Sequence, residues 1–130
     1  MRSASSISTK RGELVRSKSE VIVADNLFDA GLRYAYERPL TIDGALRYPD
    51  FTIEDEGTGI TYYWEHCGML ADPGYLRRWK TKLAWYRENG ILPHEDGGGP
   101  RGTLVVTEDT PKGGISSQKI AQLIQTVLKN

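Results

Sequence analysis

The chain has one cysteine, Cys67, in 130 residues, so it has no internal disulfide. That suits a reducing compartment, and a cytoplasmic protein is expected. Histidine is scarce too: with only His66 and His94 and one thiol, the four nitrogen and sulfur ligands of a structural zinc site cannot be assembled. Long apolar runs are missing, and none approaches the length of a membrane span. The Ser-rich, basic stretch from Met1 to Arg11 has no apolar core, so it does not read as a secretory signal. Charge of a single sign is lacking as well, since 17 Lys and Arg balance 17 Asp and Glu. At this length one ordinary domain is expected, with residues 1–14 as a flexible basic tail and residues 15–130 as the folded part.

The balanced total hides an uneven distribution. Arg77, Arg78, Lys80, Lys82 and Arg87 crowd into one short segment, and Arg2, Lys10, Arg11, Arg16 and Lys18 crowd the N-terminal end. Local basic patches, rather than net charge, make a phosphate footprint.

Ser17-Lys18-Ser19-Glu20 has the form of a capping box, which predicts a helix from there to about Ala30, with Gly31 just past its end. Val21, Ala24, Leu27 and Phe28 give it an apolar face. Strands are expected over Arg33–Glu37, Arg47–Glu54 and Ile60–Cys67. The last two form a hairpin around Asp55-Glu56-Gly57-Thr58-Gly59. Asp72-Pro73 starts a long helix that Gly90 stops. A loose loop from Pro93 to Gly102 leads to a buried strand at Thr103–Thr107. Ser116 or Ser117 caps a last helix carrying Ile120, Leu123, Ile124, Val127 and Leu128. The expected order is helix, three strands, helix, strand, helix.

Three acids stand out in this frame. Glu20 opens the first helix, Asp50 follows Pro49 in the second strand, and Glu65 sits in Tyr62-Tyr63-Trp64-Glu65-His66. A carboxylate in a stretch that otherwise reads as buried strand is costly without a compensating charge or metal ion. In a hairpin, Asp50 and Glu65 can emerge together on one face, and Glu20 can join them if its helix packs across it. Three converging carboxylates would call for a hard divalent cation, Mg²⁺ or Mn²⁺. Each acid also has an ordinary explanation: Glu20 as the capping-box acid, Asp50 as an edge-strand surface residue, Glu65 as a partner of Arg77 or Arg78.

The helix-borne Glu20, Tyr48-Pro49-Asp50-Phe51 and Trp64-Glu65-His66 together resemble the PD-(D/E)xK nuclease superfamily. The resemblance runs from about Val15 to Leu128. It implies a restriction-endonuclease-like α/β fold with an αβββαβ core, a mixed central sheet flanked by helices. It also implies that Glu20, Asp50, Glu65 and the backbone carbonyl of His66 bind Mg²⁺ or Mn²⁺. The family's lysine lies two residues after the Glu, where this chain has Cys67. Some members supply it from the next helix, which makes Lys82 the candidate and Lys80 the reserve. Gln118 matches a place where related nucleases carry a glutamine. The resemblance points further to stand-alone or helicase-fused nuclease domains of bacteria and phages.

The expectation is a metal-dependent DNA nuclease with a site of Glu20, Asp50, Glu65 and Lys82. Arg16, Lys18, Arg77, Arg78 and Lys80 would hold the DNA backbone. Its partners would be DNA and a helicase or other repair or recombination protein, with no membrane. The alternative is a non-catalytic DNA-binding or docking module of the same fold within a repair, helicase or transposition assembly.

Overall fold

The computed structural model describes residues 7–129. In chain order the elements are β1 (Ile7–Ser8), β2 (Leu14–Val15), α1 (Lys18–Asp29), β3 (Ala35–Tyr36), β4 (Leu40–Ile42), β5 (Ala45–Arg47), β6 (Phe51–Glu54), β7 (Thr61–Cys67), α2 (Pro73–Glu88), β8 (Ile91–Pro93), a short 3₁₀ turn (His94–Asp96), β9 (Gly102–Glu108) and α3 (Ser117–Val127). They group into two compact units. One holds the described residues up to Tyr34 together with those from Asp109 onward, and the other holds Ala35–Glu108. No helix of the described residues is long and apolar enough to cross a membrane.

In the first unit Ser17 caps α1, its side chain accepting from the Glu20 N–H at 3.1 Å. Gly31, at φ 76°, ends the helix by letting Gly31 and Leu32 donate to the carbonyls of Phe28 and Leu27. Val23, Ala24 and Leu27 are buried, and Asn26 bonds Ser117 of α3 at 2.9 Å. Ser116 is the cap of α3, and Ile120, Ile124 and Leu128 are its buried face.

The expected tail is corrected over residues 7–14, which are structured; residues 1–6 lie outside the described residues. β1 and β2 pair antiparallel, the Lys10 backbone donates to Asp25, and Lys10 Nζ pairs with Asp29 at 2.8 Å. Glu13 gathers Thr9, Arg11 and Tyr34 around its carboxylate. The segment is held by hydrogen bonds and ion pairs rather than by apolar residues, so hydrophobic periodicity could not reveal it.

The second unit is a mixed five-stranded sheet in the order β3-β6-β7-β9-β8. β3, β6 and β7 run antiparallel in sequence, and after α2 the chain returns in β9, parallel to β7. The α/β class and mixed central sheet expected from sequence are what the structure has. Tyr86 of α2 is fully buried with Tyr63, Ile91 and Leu104, and Trp79, Leu83 and Trp85 pack against that cluster. Gly102 sits where a Cβ would come within 2.7 Å of the Tyr63 ring, at φ 152°, so this turn into β9 requires glycine.

Three features differ from expectation. The segment between Glu37 and Arg47 is a hairpin, β4–β5, turned by Asp43 and Gly44 at φ 50° and 80°. Asp50 does not lie within a strand but immediately before β6. Between the helix stop at Gly90 and the expected loop lies an unexpected strand, β8, whose Ile91 is fully buried and which pairs parallel with β9. Pro93 ends that edge strand, where a missing N–H costs nothing.

Candidate active site

β6 and β7 align Phe51 with Trp64, so the same register places Asp50 level with Glu65. Asp50 has left the ladder, and its Oδ2 accepts the His66 N–H at 2.7 Å. That bond ties the loop before β6 to the end of β7. Glu65 is only 4% exposed. Its Oε2 receives Lys82 Nζ at 2.6 Å and the Tyr86 hydroxyl at 2.5 Å. Lys82 Nζ also donates to the Tyr48 carbonyl at 3.0 Å, so one ammonium bridges the two sides of the site. Burial pushes the Glu65 carboxyl above the usual carboxylate range, while the Lys82 ammonium, the Tyr86 hydroxyl and the Asp50 backbone amide pull it back. Burial and the Glu65 charge push Tyr86 well above the usual phenol range, so it stays a hydrogen-bond donor.

These groups open on a cavity of about 200 Å³ lined by Asp50, Glu65, His66, Cys67, Tyr75, Arg78, Trp79 and Lys82. Two elements supply most of it. Glu65 and Cys67 share one face of β7 because side chains alternate along a strand. Tyr75, Arg78, Trp79 and Lys82 recur at three- and four-residue steps on α2, so they share one face of that helix. Asp72 caps α2 through the Tyr75 N–H at 2.9 Å, which fixes where this face starts. The Cys67 thiol is pushed up to about 12, first by burial and then by the charges of Glu65, Asp50 and Glu108. The His66 ring meets Thr107 Oγ1 at 2.9 Å.

Of the residues singled out by sequence, the structure brings together Asp50, Glu65, His66, Arg78 and Lys82. Arg77 and Lys80 are exposed on α2 and do not line the cavity. Glu20 belongs to the other unit, where its Oε1 accepts the Arg16 N–H at 2.8 Å and completes the helix cap. Arg16 and Lys18 are exposed in that unit, as is Gln118 in the first turn of α3. Among the described residues no three His, Cys, Asp or Glu side chains form a group that could hold a metal ion. Tyr86, Tyr75 and Trp79 are site residues that the sequence presents only as the apolar face of α2. Their common stripe with Lys82 is the signal that could have found them.

No family model matches the chain, and no solved structure matches it. Over 86 residues, 65% of the chain, it is 35% identical to an uncharacterized protein of Methanocaldococcus jannaschii. The match spans only 7% of that protein's length.

Proposed function

We propose that the chain is a metal-dependent DNA nuclease of the PD-(D/E)xK kind, with Lys82 on α2 in place of the strand lysine. The observation that carries this reading is the Glu65–Lys82 contact at 2.6 Å, in a cavity that Asp50 and Cys67 also line. Cys67 occupies the family's lysine position and cannot supply a fixed positive charge. Lys82 supplies one at the same carboxylate.

The donor set fits a hard cation. Asp50 and Glu65 line one cavity, the His66 carbonyl would be the further oxygen, and Mg²⁺ is commonly held by one or two carboxylates plus waters. Glu65 has the raised carboxyl of a buried acid that more positive charge would relieve. The reading stands on Asp50 and Glu65 alone and does not need Glu20. A bound divalent ion there would supply Lewis-acid polarisation of the phosphate and a nucleophile at neutral pH. Tyr86 donates to Glu65 and fixes its carboxylate, as the His66 N–H fixes Asp50. Lys82, on a long flexible stem, orients the attacking water and offsets phosphate charge. Arg78 at the cavity rim holds the DNA backbone.

The test is cleavage of plasmid and oligonucleotide DNA in Mn²⁺ or Mg²⁺, stopped by chelator. Lys82→Ala should lose orders of magnitude in rate, and Cys67→Lys in that background should restore part of it. DNA left intact in both metals, or cleaved as fast in chelator, refutes the reading. A second reading, a non-catalytic DNA-binding or docking module within a repair, helicase or transposition assembly, is favoured by Cys67 itself and by the match to a small part of a much longer protein. DNA binding indifferent to both metal and chelator would select it.

A further inference from the structure

The cavity holds more than charged groups. Tyr75 and Trp79 stand one turn apart on α2, are each half-buried, and line the same cavity as the two carboxylates and two cations. Their neighbour Tyr86 is different: it is fully buried and closes the core. Trp79 touches that core on one side and the cavity on the other. The Tyr75 hydroxyl accepts the Gly68 N–H at 3.2 Å, which pins its ring beside the end of β7. A fixed aromatic wall next to phosphate-binding groups is the arrangement that takes up an unpaired nucleobase, because every base has a face to stack and stacking tolerates any sequence. A base within a duplex already stacks on its neighbours and must leave the helix to reach such a wall. The cavity, about 200 Å³, is smaller than the roughly 300–1,000 Å³ of sites for drug-sized ligands. The charges agree. Arg78 and Lys82 face Asp50 and Glu65 in the cavity, so a bound cation leaves the site positive and suited to a phosphate.

We propose that this site, on the nuclease reading above, acts on single-stranded or frayed DNA, stacking the unpaired base beside the scissile phosphate on Tyr75 and Trp79 while Arg78 holds the adjacent phosphate. The aromatic wall thus sets the substrate class, and the carboxylates set the chemistry.

The experiment measures binding by fluorescence anisotropy, in Ca²⁺ and again in chelator, of a labelled single strand and of the matching duplex. A 2-aminopurine base in the strand reports stacking. The full chain should bind the single strand at least tenfold more tightly than the duplex and quench the 2-aminopurine. Tyr75→Ala should weaken single-strand binding by about 5- to 150-fold and weaken duplex binding far less. Trp79→Phe, which keeps a ring against the core, should retain most single-strand binding and most of the quench. Equal affinity for strand and duplex, an unquenched reporter, or full single-strand affinity in a folded Tyr75→Ala protein each overturns the inference. The two readings separate cleanly. A chain that cleaves duplex and single strand alike in Mn²⁺ keeps the nuclease reading and loses this one. A chain that binds and quenches the single strand but cleaves no DNA in any metal keeps the stacking of an unpaired base on Tyr75 and Trp79 and loses the nuclease reading.

Discussion

Replacing Lys82 with methionine keeps most of the side-chain volume and removes the ammonium that touches Glu65. The cost follows from the geometry. Glu65 is 4% exposed and the ion pair is 2.6 Å long. Breaking a buried pair from one side costs about 3–5 kcal/mol. Here the cost is smaller, because the Lys82 side chain is 26% exposed and Glu65 keeps the Tyr86 hydroxyl. About 2 kcal/mol at pH 8 is expected for the metal-free protein. With a urea slope of about 1.5 kcal/mol/M, the midpoint should fall by roughly 1.3 M. The pH dependence has a definite sign. The folded pKa of Glu65 lies above its ordinary value and rises further without Lys82, so the folded state holds a proton that the unfolded state has lost. Stability is therefore greatest below the ordinary carboxylate pKa and declines as pH rises toward the folded one. The Lys82→Met penalty should be small near pH 4.5 and grow as pH rises. Pairing it with Glu65→Gln closes a double-mutant cycle, which isolates the pairwise part. A coupling energy within about 0.5 kcal/mol of zero at pH 8 would refute the contact, and with it the migrated lysine.

Asp50→Ala should abolish cleavage and, by losing the His66 N–H bond, cost about 1 kcal/mol in urea titration, whereas Asp50→Asn should abolish cleavage at nearly full stability; retained cleavage in either variant would remove Asp50 from the site. Mn²⁺ at a hundredfold over its dissociation constant should add about 2.7 kcal/mol, and a melting temperature indifferent to Mn²⁺ would deny the pair a cation. Cys67, buried and with its thiol pushed up to about 12, should resist a thiol-specific disulfide reagent at pH 8 until urea unfolds the chain, so stoichiometric labelling of the folded protein would show that its surroundings are misread. Gly102→Ala should cost about 2 kcal/mol through the clash with the Tyr63 ring, and a wild-type denaturation curve would contradict that close approach.

How much of the fold was legible depended on what holds each element. α1, α2 and α3 were legible because capping residues and an apolar stripe state both their ends and their buried face: Ser17 and Gly31, Asp72 and Gly90, Ser116. β6, β7 and β9 were legible as apolar runs, and the polar turn from Asp55 to Gly59 marked the hairpin. The β4–β5 hairpin announced itself only through Asp43-Gly44, a two-residue turn signal between short half-exposed strands, and a reading that passes from a strand ending at Glu37 to one starting at Arg47 misses it. β8 is three residues after a helix stop, too short for a period. The β1–β2 ribbon rests on Lys10, Arg11 and Glu13, polar residues whose partners lie up to 23 positions away.

The site divides along the same line. Asp50 and Glu65 stood out because a charge in or beside an apolar strand violates the local pattern, and a violated pattern needs an explanation. Lys82 was legible only through what Cys67 lacks. Tyr86 obeys its pattern fully: it falls where α2 needs a core aromatic, and it is one. Its second role depends on one hydroxyl meeting one carboxylate on another element, and no spacing along the chain encodes that meeting. Tyr75 and Trp79 hide in the same way, since an apolar stripe at helical spacing reads as core whether a sheet or a cavity faces it. Only the position of β7 beneath α2 turns that stripe from packing into a wall beside two carboxylates. A residue that breaks its local rule can be found in sequence. One that satisfies the rule and also serves the site is found only once the elements are assembled.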